Sequence, residues 1–133
     1  MENRRILADT SVIIDFLRKK KKEKSWLWKI KESYTCFMSS ITLFELLSGA
    51  KTDERIEDIN KITKWIESID FNDETATIAA SILRNLKEQN QIIDYRDIFI
   101  AATAKHHHLT MATLNISHFE RIEGITLLDV PKK

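Results

Sequence analysis

The chain has 133 residues, 43% of them hydrophobic, a length and apolar content suited to one domain with its own core and too short for two halves with a cleft between them. Twenty-one Lys and Arg against 20 Asp and Glu leave a net charge of +1, so a polyanion site must be local, and the single Cys36 excludes an intrachain disulfide and a thiolate metal site. Met1 to Ile6 lacks an apolar leader segment, no run is long enough to span a membrane, and the two glycines leave no Gly-rich phosphate loop, so a soluble, cytoplasmic protein without ATP, NAD or serine-hydrolase chemistry is expected.

In chain order, Arg5-Ile6-Leu7-Ala8 is a short strand ending at Asp9-Thr10-Ser11, after which Val12, Ile13, Phe16 and Leu17 recur at helical spacing. Arg18 to Lys22 is a basic turn, and Trp26, Leu27 and Ile30 share a face of a second helix. Tyr34 to Met38 is a strand and Ile41 to Ala50 a helix. The spacing of Ile56, Ile59, Ile62 and Ile66 predicts a helix over 55–66, with a strand following over Ser68 to Phe71. Asn72 caps a helix carrying Thr75, Ile78, Ala79, Ile82, Leu83 and Leu86, and another runs from about Tyr95 to His107, where His106, His107 and His108 close it. A strand over Leu109 to Leu114, a helical turn over His118 to Ile122 and a last strand over Ile125 to Leu128 complete the chain. Alternating strands and helices make an α/β fold: a mainly parallel sheet covered on both faces, with ligands outside the carboxyl ends of its strands.

The acids stand where that fold binds ligands. Asp9 follows the first strand, and its bland role is to cap the next helix. Glu45 shares a helix side with Ile41, Phe44 and Ser48. A capping box with Thr42 is its alternative role, although Ser39 or Ser40 is the better cap. Asp94 and Asp97 open a helix, Ile98 to Ala104, that is apolar on most sides; Asp94 reads as its cap. Asp97 reads as a carboxylate brought to the sheet edge, where clustered acids need a cation. Oxygen-only ligation suits Mg²⁺ or Mn²⁺.

Asp9-Thr10-Ser11-Val12-Ile13-Ile14-Asp15, Ser40 to Gly49, Asp97-Ile98-Phe99-Ile100-Ala101-Ala102-Thr103-Ala104 and Thr113-Leu114-Asn115 occur in an order that resembles PIN-domain ribonucleases, the VapC toxins in particular. The resemblance implies a doubly wound α/β domain over 1–133 and a metal-dependent endoribonuclease. It also implies an RNA substrate, a homodimer and an antitoxin partner that masks the site. Asp9, Glu45 and Asp97 match the family's three acids, and Thr113 and Asn115 its supporting T-x-N, with Thr10 and Ser11 beside the first acid. His118 stands where many relatives carry a fourth acid, which leaves one or two metal ions open and makes Asp94 a candidate for the missing charge. Two alternatives stand beside the nuclease: a catalytically silent binding module, and a small α/β phosphatase, which Ser11 at the second position of Asp-x-Asp argues against. The basic run at 18–22 is read first as a solvated turn and second as an RNA contact.

Overall fold

The computed structural model describes residues 4–129. The expected extent of the domain and the N-terminal stretch Met1 to Ile6 both reach into residues that lie outside the described ones. The described residues form β1 (Arg5–Ala8), α1 (Thr10–Arg18), a single 3-10 turn (Lys22–Lys24), α2 (Trp26–Lys31), β2 (Thr35–Ser39), α3 (Ser40–Gly49), α4 (Asp53–Ile62), β3 (Ile66–Ile69), α5 (Asp73–Glu88), α6 (Tyr95–His106), β4 (Thr110–Ala112) and α7 (Ile116–Phe119). The four strands pair in parallel in the order β3-β2-β1-β4, so the α/β expectation holds. The chain winds outward from β1 through β2 to β3, then crosses back to place β4 on the other side of β1. That reversal opens a crevice between the carboxyl ends of β1 and β4, the place where doubly wound sheets bind ligands.

Strand alternation divides the expected core into two layers. Ile6, Ala8, Cys36, Met38 and Ile66 face α1, α2 and α4, whereas Leu7, Phe37 and Met111 face α5 and α6. Each fully buried Ile or Leu contributes about 1.5–3 kcal/mol through apolar burial. Helix α6 lies deepest, with Ile98, Ile100, Ala101, Ala102, Thr103 and Ala104 buried. It is apolar on most sides, and its first turn therefore reaches the sheet edge.

Several expected boundaries move, and β4 keeps only Thr110–Ala112 of the strand expected over Leu109 to Leu114. Helix α4 ends at Ile62, and Ile66 instead opens β3, where it pairs with Cys36; the predicted strand thus begins two residues earlier, at Ile66, and stops at Ile69. Ile66 keeps helical spacing with Ile62, but the chain turns at Thr63, whose N–H bonds the Ile59 carbonyl, and the sheet takes the next apolar side chain. The helical turn lies over Ile116–Phe119 rather than His118 to Ile122. Ile125 to Leu128 forms one parallel bridge, Met111 to Leu127, in place of a strand. The expected caps are present: Ser39 accepts from Ile41 N (3.1 Å), and Asn72 from Thr75 N (3.0 Å). No helix of the described residues is long and apolar enough to cross a membrane.

The three histidines do end α6, and they differ. His106 bridges Glu74 (2.9 Å) and Thr75 (3.2 Å), whereas His107 Nε2 is covered and has no hydrogen-bond partner among the described residues. Burial, then the neighbouring His106 and Arg5 charges, push the His107 pKa below the usual histidine value. Its neutral form is thus favoured in the fold, so the associated stability is present above the unfolded value of about 6.5 and is lost as pH falls through the lower folded value. Thermal melts at pH 7.5 and pH 5 are expected to differ less for His107→Gln than for the parent. An equal drop in both would remove His107 as a source of acid sensitivity.

Candidate active site

Asp9 sits at the crevice because β1 ends there. Its N–H extends the β1–β4 ladder to the Ala112 carbonyl (3.0 Å), and its side chain caps α1. One carboxylate oxygen, Oδ1, accepts from Ser11 N (3.0 Å), the Ser11 hydroxyl and Val12 N (3.4 Å). The other, Oδ2, accepts from the Thr113 hydroxyl at 2.7 Å. The cap therefore uses one carboxylate oxygen and Thr113 the other. Asp9 is only 2% exposed, and burial raises its pKa against the lowering effect of those donors, with the charge of Asp97 adding to the rise.

The turn after β4 is tied to the same point. Thr113 Oγ1 accepts from Asn115 N (2.9 Å) while donating to Asp9, and Leu114 N donates to the Ser11 hydroxyl (3.0 Å). Thr113 is fully buried, whereas Asn115 is exposed and its side chain makes no capping bond to α7. The geometry makes Thr113 the support and leaves the Asn115 amide facing outward.

Helix α3 packs against both α1 and α6, and this brings Glu45 to the crevice. Thr10 Oγ1 lies 2.7 Å from Glu45 Oε1 and 3.0 Å from Thr42 Oγ1. A single hydroxyl proton serves one acceptor, so Thr10 donates to Glu45 and accepts from the buried Thr42. Thr42 thus acts through Thr10 rather than as a cap for α3.

Asp97 lies in the first turn of α6, where the helix dipole favours an anion. His118 donates through Nδ1 to its Oδ2 at 3.1 Å. Burial raises the Asp97 pKa more than the His118 contact lowers it. His118 at the usual fourth-acid position is therefore a partner of Asp97. Asp94 turns the other way: it caps α6 through Arg96 N (2.8 Å) and grips the Arg96 guanidinium at Nε and Nη2, both at 3.2 Å. Those contacts hold the Asp94 carboxyl below its usual range. The Asp94 charge still reaches Asp97, whose pKa it helps to raise.

Arg96 escaped the sequence reading. Its Nη1 lies 3.4 Å from Glu45 Oε2, which places a permanent cation among the acids. The signal was present in Asp94-Tyr95-Arg96-Asp97, a cation between two carboxylates at a helix start. Of the basic run, Lys22 turns back to the Leu17 carbonyl (2.7 Å) and Lys19 to Asp15 (3.4 Å). Arg18 and Lys19 also line a shallow groove with Ser11 and Asn115.

Among the described residues no three His, Cys, Asp or Glu side chains are drawn together as ready metal ligands. The donor chemistry nevertheless fits a hard divalent cation. Burial raises the pKa values of both Asp9 and Asp97, the charge of Asp97 adds to the rise at Asp9, and a cation held by the two would relieve the cost of ionising both. Oδ2 of Asp9 takes one donor among the described residues, of the roughly two a carboxylate oxygen accepts, so it keeps acceptor capacity for an ion. The Asp-x-Asp of a phosphatase is absent, since Ser11 occupies its second position and donates to Asp9.

A sequence model of the PIN domain matches residues 6–125. Ribonuclease VapC1 of Rickettsia felis is 33% identical over 138 aligned residues, covering 96% of this chain and 98% of its own. Ribonuclease VapC1 of Methanocaldococcus jannaschii is 30% identical over 130, covering 96% and 90%. Among solved structures, DNA-bound VapBC of Salmonella typhimurium superposes with a TM-score of 0.84 at 26% identity over 95% of this chain and 98% of that one. The match spans the strands, the crevice and the acids that border it, and the chain belongs to the PIN-domain family.

Proposed function

We propose that this chain is the endoribonuclease toxin of a toxin–antitoxin pair, hydrolysing RNA phosphodiester bonds with Mg²⁺ or Mn²⁺. The observation that carries the reading is the junction of Asp9 with Thr113 at the crevice between β1 and β4, with Asp97 close enough to raise the Asp9 pKa. The relatives named ribonuclease VapC1 support the activity, and the VapBC structure supports an antitoxin partner. The same reading takes 1–133 as one domain, acting as a homodimer in the cytoplasm.

Asp9 and Asp97 are the residues that would hold the ion, with Glu45 reaching it directly or through water. When bound, a divalent ion lowers the pKa of a water and offsets charge on the phosphorus. The chain's own groups prepare the site. Thr113 and Ser11 fix both oxygens of Asp9, Thr10 fixes Glu45, and His118 orients Asp97. A water oxygen bonds to phosphorus as the bond to the leaving ester oxygen breaks, and a proton released by the water passes to that leaving oxygen through solvent, so no covalent enzyme intermediate and no 2′-OH attack are required.

The direct test is cleavage of a mixed RNA pool by purified protein with Mn²⁺ or Mg²⁺, with EDTA, and by Asp9→Asn. Cutting that needs the metal and is lost in the variant is expected. Equal residual cutting in all samples would mark a contaminant and favour the silent binding module, a role that the Arg96 cation beside Glu45 would suit.

A further inference from the structure

Arg96 is anchored at one edge and open at the other. Asp94 holds Nε and Nη2 in a two-point fork, and the α6 cap fixes the backbone from which the side chain leaves. The opposite edge, Nη1, meets Glu45 at 3.4 Å, well beyond the 2.7–2.9 Å of a formed charge-assisted bond. Arg96 is 57% exposed, so burial does not explain the fork. A guanidinium gripped by Asp94 and met only at 3.4 Å by Glu45 keeps N–H groups available beside the acids, and its fork can take the two non-bridging oxygens of a phosphodiester as it takes a carboxylate. A cation there would also offset the repulsion between RNA phosphates and Asp9, Glu45 and Asp97.

Building on the ribonuclease reading, we infer that Arg96 binds a backbone phosphate of the RNA next to the cleaved bond, and that Asp94 is the positioning residue that aims it. Asp94 thereby has a function separate from metal binding. Phosphate binding of this kind predicts opposite signs from two charge changes. Removing the Arg96 cation weakens RNA binding. Removing the Asp94 anion weakens it too if Asp94 positions Arg96, but tightens it if Asp94 merely adds negative charge to the surface.

The test is anisotropy of a fluorescein-labelled single-stranded RNA pool in EDTA, over a salt series, with the parent, Arg96→Gln, Arg96→Lys, Asp94→Asn and, as a surface control, Arg84→Gln on α5. Arg96→Gln is expected to bind roughly tenfold more weakly, the size of one charge-assisted bond, with the slope of log affinity against log salt reduced by about 0.7. Arg96→Lys should keep the slope yet bind more weakly, and Asp94→Asn should bind more weakly than the parent. In Mn²⁺ the Arg96→Gln loss should appear in KM more than in kcat. Parent-like binding and slope in Arg96→Gln would overturn the proposal, and tighter binding by Asp94→Asn would overturn the positioning role. If the parent itself neither binds nor cuts RNA, the ribonuclease reading falls and this inference falls with it. Failure of Arg96→Gln beside an active parent touches this inference alone.

Discussion

Asp97→Asn is expected to lose at least about 100-fold in RNA cleavage while melting no lower than the parent, and at neutral pH higher, when both are free of metal. The activity loss follows from scale: residues that only orient a metal ligand cost about 10–100-fold when changed, and in the proposed site Asp97 would be a ligand itself. The stability gain follows from the raised pKa. Burial lifts the folded value of Asp97 above its unfolded value of about 3.9, with the His118 bond opposing it. The fold therefore favours the protonated form, and the associated stability is present below the unfolded value and lost as pH rises through the folded one. At pH 7 the metal-free parent carries that cost and the Asn variant does not, while the Asn side-chain oxygen can still accept from His118. A divalent ion should reverse the order, because an ion bound only by the native state at 100 times its Kd adds about 2.7 kcal/mol to the parent. Thermal melts of both proteins with EDTA and with Mn²⁺ read this directly. Equal Mn²⁺ stabilisation of parent and variant would show that Asp97 holds no metal.

That trade between stability and chemistry is a property of side chains brought together by topology, and this limits how far it can be read along the chain. The alternation of strands and helices was legible because each element carries its own period, as in the buried run from Ile98 to Ala104. Asp9, Glu45 and Asp97 were legible as acids at strand ends or on apolar faces; the structure sets Glu45 against Thr10, the residue after Asp9, and puts Asp9 within reach of the Asp97 charge. The order β3-β2-β1-β4 was not, since nothing local tells the chain after β3 to cross back beside β1. Ile66 satisfied the helical period and the strand period equally, and the turn at Thr63 decided between them. The last strand failed for a different reason: residues 125–128 lie at the outer edge beside a three-residue β4, where only Met111 offers a bridge partner. Thr42 was read only as a cap and Arg96 not at all, because the contacts with Thr10 and Glu45 come from side chains more than 30 positions away. A motif records which residues are present, whereas their protonation and pairing depend on what the fold places opposite them. His118 shows the same limit. Its position in the chain suggests a lost ligand, and the contact with Asp97 gives it a partner instead.

The sharpest separation of support from ligation comes from Thr113→Val, expected to lower cleavage by about 10–100-fold and to cost about 1–3 kcal/mol of stability. Valine keeps the branched shape inside the fully buried site and removes only the hydroxyl. That hydroxyl has two duties, donating to Asp9 Oδ2 at 2.7 Å and accepting from Asn115 N at 2.9 Å, so its loss leaves a buried carboxylate short of a donor and a backbone N–H short of an acceptor. The Thr113 bond is one of the contacts that lower the Asp9 pKa against burial. Without it the Asp9 value rises further, the ionised form needed for a cation is reached only at higher pH, and the acidic limb of the cleavage profile moves upward. Thr113→Ser restores the hydroxyl and should recover most of the activity together with the parent pH profile. A general packing defect would lower the rate at every pH without moving the limb, so an unshifted profile in Thr113→Val would reduce Thr113 to a core residue and leave Asp9 dependent on its α1 cap alone.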